Sequence, residues 1–224
     1  MTHSVVRFDS GNCMTSKEHW ETVYSTKAAN AVSWFQEHAE ISRRLIRATG
    51  VPTDGSIIDV GGGASTLVDD LLEDGFKNVT VLDISGAALD AARRRLGSLA
   101  STVSWREADI VQTVPPMHAY DVWHDRAVFH FLTTPEARAA YIDNMHRSIK
   151  PGGHAIIATF GPSGPERCSG LSVCRYDAMS LSKELGDDYI LAESLVDDHR
   201  TPGGASQQFL YCRFRLTQAK MRAD

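Results

Sequence analysis

The 224-residue sequence contains no apolar run approaching the roughly 20 residues that span a bilayer, and its first ten residues, MTHSVVRFDS, lack a basic start leading into an apolar core. A soluble cytoplasmic protein is expected. Basic residues are outnumbered, with 23 Lys and Arg against 28 Asp and Glu for a formal charge of -5. A broad cationic face tracking a phosphate backbone is therefore not expected, and neither nucleic acid nor a membrane is assigned as a partner. The four cysteines, at 13, 168, 174 and 212, form no C-x-x-C pair, and a chain this long does not depend on disulfide staples. The Cys168-x5-Cys174 spacing does not suit a zinc site, so no metal is expected. Repeats, low-complexity tracts and linkers are also missing. What is present is 42% hydrophobic residues, enough for a substantial core. One domain over residues 1–224 is the expectation, with 1–55 as a helical cover and 56–224 as the core.

Ser16 to about Thr49 mixes charges with spaced apolar residues, and Ile41, Leu45 and Ile46 suit one face of a helix. After Gly50, Pro52 and Gly55 the chain alternates: strand SIIDV, glycine turn GGGAS, helix TLVDDLLEDG, strand NVTVLDI, helix SGAALDAARRRLG, strand VSWREAD. Leu67, Leu71 and Leu72 share a helix face, as do Leu89, Ala92 and Leu96, so each helix can cover a sheet. Right-handed crossovers make that sheet parallel. A fourth strand is expected at Tyr120–His124, a helix at Pro135–Ser148 stopped by Lys150-Pro151-Gly152-Gly153, and a fifth strand at His154–Phe160. Gly161–Gly170 is rich in glycine and proline and reads as an irregular loop able to close over a site. YILAESLVDDH and QQFLYCRFRL, around RTPGGAS, read as a terminal hairpin.

The chemistry concentrates at strand ends. In Asp59-Val60-Gly61-Gly62-Gly63-Ala64-Ser65 the glycines permit a tight turn and close backbone approach, and the next helix offers free N–H donors. Asp83 lies 22 residues beyond Gly61, where a carboxylate can accept both hydroxyls of an adenosine ribose. Ile84 beside it can lie against adenine, and Asp109 with Ile110 repeats the arrangement at the third strand end. A nicotinamide-dependent dehydrogenase would use these elements too, but its G-x-G-x-x-G turn ends here in Thr66.

Together, IIDVGGGAS, VLDIS, EADI, YDVWHD, the KPGG turn before HAIIATF and the terminal hairpin resemble the class I S-adenosylmethionine-dependent methyltransferases over nearly the whole chain. The resemblance implies an α/β, Rossmann-like doubly wound sheet of seven strands, mostly parallel with an antiparallel C-terminal strand. It also implies S-adenosylmethionine as cofactor and S-adenosylhomocysteine as product. Asp59, Gly61, Gly62 and Gly63 would surround the methionyl part, Asp83 the ribose, and Ile84, Asp109 and Ile110 the adenine. His19-Trp20-Glu21-x-x-Tyr24 and Ser33-Trp34-Phe35 resemble the W-E-x-x-Y and aromatic elements of the branch holding elongation-factor and citrate-synthase lysine methyltransferases. Trp20, Tyr24 and Trp34 would then close over the cofactor, aromatic faces attracting its sulfonium cation.

That branch carries D-K-G-T after the fourth strand, whereas this chain has Asp125-Arg126-Ala127-Val128. Asp125 is the candidate to meet the methionyl ammonium or the acceptor, and the planar guanidinium of Arg126 suits carboxylates. His130 is the catalytic-base candidate, with His124 and His199 as further titratable groups. Arg126, His130, Cys168, Arg175, Tyr176 and His199 form the candidate acceptor set. The expected reaction is in-line methyl transfer to an N, O or S nucleophile of a small molecule by a monomer or weak dimer. A protein-lysine methyltransferase is the first alternative, and a non-catalytic cofactor-binding module or a nicotinamide-dependent dehydrogenase the second.

Overall fold

The computed structural model describes residues 16–217, so Cys13 lies outside the described residues. In chain order the elements are α1 (Ser16–Thr26), α2 (Glu40–Arg47), β1 (Ser56–Val60), α3 (Leu67–Glu73), β2 (Asn78–Asp83), α4 (Gly86–Leu96) and β3 (Ser104–Glu107). There follow β4 (Tyr120–Arg126), α5 (Pro135–Ser148), β5 (Ile149–Phe160), β6 (Arg167–Cys168), β7 (Leu171–Ser172), α6 (Ala178–Leu185), β8 (Tyr189–Arg200) and β9 (Ser206–Leu216).

Seven strands form one sheet in the order β3-β2-β1-β4-β5-β9-β8. Pairing is parallel from β3 to β5, and β9 runs antiparallel between β5 and β8. The sheet is the seven-stranded Rossmann-like arrangement expected. Central β1 is buried on both faces, which is why Ile57, Ile58 and Val60 read as a near-continuous apolar run. Ile57 joins Leu45, Ile46, Leu67, Leu71 and Leu89 in one core, whereas Ile58 and Val60 join Tyr141, Met145, Leu181 and Leu185 in another. Helices α2, α3 and α4 thus cover one face, and α5 and α6 the other. The chain reverses direction of travel across the sheet between β1 and β4, the place where doubly wound sheets open a crevice at their strand ends. No helix among the described residues is long and apolar enough to cross a membrane.

Four local readings are corrected. The N-terminal segment is not continuously helical: α1 and α2 are separated by a short 3₁₀ turn at Ala29–Ala31 and a non-helical stretch. Its backbone finds partners elsewhere, the Ser33 carbonyl accepting from His199 Nε2 at 2.9 Å and the Trp34 carbonyl from Arg126 Nη1 at 2.8 Å. Next, β5 begins at Ile149, and a register irregularity between Tyr120 and Val122 lets the Pro151-Gly152-Gly153 turn sit within the strand. Third, Gly161–Gly170 is not wholly irregular, because β6 and β7 pair around Ser169 and Gly170, both at positive φ, as a tight hairpin turn requires. Finally, α6 has no counterpart among the sequence expectations. Its start is a capping box in which Asp177 Oδ1 accepts from Ser180 N at 2.7 Å and Ser180 Oγ accepts from Asp177 N at 3.0 Å.

Candidate active site

A cavity of about 430 Å³ opens at the C-terminal ends of β1, β2 and β4. Its floor is the turn after β1. A Cβ on Gly61 would run into Val128, one on Gly62 into the Asp59 carboxylate, and one on Gly63 to within 2.5 Å of Asp83 Oδ2. Gly61 also holds φ at +69°, which favours glycine. The turn is therefore glycine-rich so that two carboxylates can stand directly behind a backbone open to a ligand.

Those carboxylates differ. Asp59 Oδ1 shares a 2.7 Å hydrogen bond with His124 Nδ1, and His124 Nε2 shares one of 2.8 Å with Ser42 Oγ. Asp59 Oδ2 is buried with no partner among the described residues. Asp83 accepts from Ser85 N at 2.8 Å, and burial, reinforced by Asp59 and Glu21, pushes its carboxyl up to about 7.

Helix α1 supplies the wall over this floor. Trp20 packs edge-on against Trp34 at 5.7 Å and Phe131 at 5.1 Å between ring centroids, and Tyr24 meets Trp34 at 6.3 Å. Desolvation by these neighbours, with nearby Asp83, raises the Tyr24 phenol well above its usual range. Between Trp20 and Tyr24, Glu21 turns outward and accepts from Gly86 N at 2.6 Å and Ala87 N at 3.3 Å. Free N–H groups at the start of α4 thus hold α1 in place through a carboxylate. The W-E-x-x-Y spacing works as one device: one residue docks the helix while two residues on its other side face the cavity.

The turn after β4 forms the far wall. Asp125 Oδ1 accepts from Val128 N at 2.8 Å, and Oδ2 from Phe129 N at 3.0 Å and Tyr141 Oη at 2.6 Å, while Trp123 Nε1 donates to Tyr141 Oη at 2.8 Å. The tight turn forces Ala127 to φ +74°. Arg126 emerges beside it, with Nε donating to Tyr211 Oη at 2.8 Å and its guanidinium 4.5 Å from the Phe209 ring centroid. The β6–β7 ribbon closes this end with Arg167, Cys168 and Leu171.

Residues 57–153 match the family model described as a methyltransferase domain. Over 215 residues the chain is 23% identical to EEF1A lysine methyltransferase 2 of Homo sapiens, a match covering 87% of this chain and 83% of that protein. The N-methyltransferase NodS of Bradyrhizobium japonicum, solved with S-adenosyl-L-homocysteine, superposes with a TM-score of 0.65 at 21% identity, over 88% of this chain and 97% of that one. A structure from work on conversion of a disulfide bond into a thioacetal group during echinomycin biosynthesis gives a TM-score of 0.74 at 18% identity, over 92% and 94% of the two chains. The protein is an S-adenosylmethionine-dependent methyltransferase. The cavity fits that cofactor on its own chemistry: an unpaired buried carboxylate oxygen at Asp59, a side-chain-free turn at Gly61 and Gly62, and a ring cage suited to a sulfonium.

Of the residues expected at the methyltransferase site, Trp20, Tyr24, Trp34, Asp59, Gly61, Gly62, Asp83, Ile84, Asp109, Ile110, Arg126 and Cys168 line the cavity. Six do not. Gly63 packs behind the turn against Asp83 and Ala88. Asp125 is wholly buried with both oxygens committed, so it shapes the turn instead of meeting cofactor or acceptor; burial raises its carboxyl to about 6. His130 is also wholly buried, wedged between Phe131 and Phe160, and its Nδ1 accepts from Phe160 N at 3.2 Å. Burial holds it down to about 3, so it is neither an exposed base nor an acceptor contact. His199 is spent on the Ser33 carbonyl. Arg175 braces the loop through Gly164 O at 3.2 Å and Glu166 Oε1 at 2.9 Å, and Tyr176 lies in the core against Phe129. Cys168 reaches the cavity as a neutral thiol, burial raising it to about 11.

Sequence reasoning missed Val128, Phe131, Leu132, Arg167, Leu171 and Ser172 as lining residues. The run AVFHFL directly after Arg126 was the available signal for Phe131. The ribbon residues carry no such signal, because only the hairpin brings them over the cavity.

Proposed function

We propose that this methyltransferase transfers methyl to an N, O or S nucleophile of a small molecule. Enclosure of the acceptor end carries the reading: Trp34, Phe131, Arg126, Cys168 and Leu171 come from three separate segments of the chain, and a cavity of about 430 Å³ is near the low end for small-ligand sites. The bound cofactor supplies a methyl carbon already activated on a sulfonium. Gly61, Gly62 and Asp59 hold its methionyl part, Asp83 accepts its ribose hydroxyls, and Ile84, Asp109 and Ile110 border the adenine. Trp20, Tyr24 and Trp34 place aromatic faces toward the cation and exclude water. Among the described lining residues His124 is the sole histidine, and both its nitrogens are engaged. The residues therefore contribute alignment and a dry site more than proton transfer. Within the described residues, 56–217 would form the catalytic core and 16–55 its cover, in one domain.

A protein-lysine acceptor is the second reading, favoured by a similarity to the human lysine methyltransferase that covers 87% of this chain. Incubation with methyl-labelled cofactor, a metabolite extract and a cell lysate separates the two. Label in low-molecular-weight product is expected; label confined to protein overturns the small-molecule reading.

A further inference from the structure

We propose that Arg126 is the anchor for a carboxylate carried by the methyl acceptor, an inference that rests on the small-molecule reading above. Arg126 is the last residue of β4 and lines the cavity. Two of its three nitrogens are used, Nε on Tyr211 Oη and Nη1 on the Trp34 carbonyl, both neutral acceptors. Nη2 is buried with no partner among the described residues, and no described carboxylate pairs with the guanidinium, unlike Arg43, Arg95 and Arg138, each of which has one. A guanidinium always carries its charge, and leaving that charge in a partly buried place without a counter-ion is costly. Stacking on Phe209 pins the plane, so the free amino group is held in a fixed direction.

The available donor is one amino group, which matches a carboxylate oxygen. Arg167, exposed on the ribbon at the same end, donates Nη2 to the Gly170 carbonyl at 2.7 Å, and the rest of the neighbouring wall is Trp34, Phe131, Leu171 and the neutral Cys168 thiol, so Nη2 of Arg126 is the buried charged donor held in one direction there. The cofactor also has a carboxylate. It is distinguished from the acceptor's by measuring both ligands on one variant.

The full-length protein is incubated with methyl-labelled cofactor and a metabolite extract, and the labelled product is isolated and identified by mass spectrometry. A product holding a carboxylate, or the methyl ester of one, is expected. A neutral or purely cationic product overturns the role of Arg126 while leaving the small-molecule reading intact, whereas label confined to protein overturns both. With the isolated acceptor, Arg126→Lys is expected to raise KM by about tenfold or more, with S-adenosylhomocysteine affinity within about twofold, because a point charge cannot reproduce the guanidinium geometry. Equal weakening of both ligands would assign Arg126 to the cofactor and overturn the proposal. Thermal stabilisation by S-adenosylhomocysteine establishes that the variant is folded, and if it is not, product identity alone decides.

Discussion

Asp59 and His124 are cross-strand partners on β1 and β4, joined by a 2.7 Å hydrogen bond directly beneath the glycine turn. The ring continues to Ser42 on α2, so one histidine ties the cover helix, the sheet and the carboxylate that faces the cavity. His124→Leu leaves both Asp59 and Ser42 without that partner in a buried place, at a cost of about 1–3 kcal/mol. It also frees the Asp59 carboxylate to rotate. Urea unfolding should show the destabilisation, and calorimetry should show S-adenosylhomocysteine binding weakened by about tenfold, about 1.4 kcal/mol. His124→Asn, able to keep one of the two contacts, should recover part of each. Unchanged cofactor affinity in His124→Leu would mean that Asp59 orientation is irrelevant to binding.

Glu21 makes a separable prediction. Its contacts with Gly86 N and Ala87 N hold α1 against α4, and neither oxygen enters the aromatic wall. Glu21→Ala should therefore cost only about 1 kcal/mol of global stability, the scale of a lost capping interaction. Cofactor affinity should fall further than that, because Trp20 and Tyr24 lose their anchoring. Limited proteolysis should cut faster within residues 27–39. Loss of stability without loss of affinity would contradict the docking role.

Strand ends were legible in the sequence because their constraints are local. Asp59, Asp83 and Asp109 follow apolar runs at fixed spacing, and the glycines between them leave a mark in composition. Asp125 and His130 were misread for a physical reason: their position along the chain was correct, but whether a side chain points into the crevice or back into the core depends on the turn that follows β4. There the Asp125 carboxylate folds the backbone over itself, leaving Arg126 at the cavity and His130 behind it. The β6–β7 ribbon was not legible either, since its two-residue strands are defined by a hairpin turn too short to show a period.

Ala127 is the point of backbone strain in that turn. At φ +74° it occupies a region that costs a non-glycine residue about 1–2 kcal/mol, and it stands where the D-K-G-T motif has its glycine. Ala127→Gly relieves the strain but adds freedom to the unfolded chain, which offsets about 0.4–1 kcal/mol of it. The expected net result is a gain of between zero and about 1.6 kcal/mol in urea unfolding. Ala127→Val, β-branched at the same φ, should destabilise the protein and lower its activity through displacement of Arg126. A loss of stability in Ala127→Gly would show that the alanine methyl contributes packing greater than the strain.

His130 predicts a pH dependence opposite to that of the buried carboxyls. In the native state burial keeps it neutral down to about 3, whereas an unfolded histidine takes up a proton near 6.5. The stability it confers is therefore present above about 6.5 and is lost as pH falls from there toward 3. Asp83 and Asp125, raised to about 7 and about 6, act in the other sense: their contribution is full below about 4, the unfolded carboxyl value, and is lost as pH rises through their native values. Comparison with a variant isolates the histidine. His130→Asn keeps a side-chain acceptor for Phe160 N but cannot titrate, so its stability should fall less steeply between pH 6.5 and 4 than that of the natural chain. Methyl transfer by folded His130→Asn should keep the same pH profile between 6 and 8, because a ring held neutral throughout that range has no proton to exchange there. A profile that shifts would return His130 to the reacting groups; parallel stability slopes would mean that the ring is protonated where it sits.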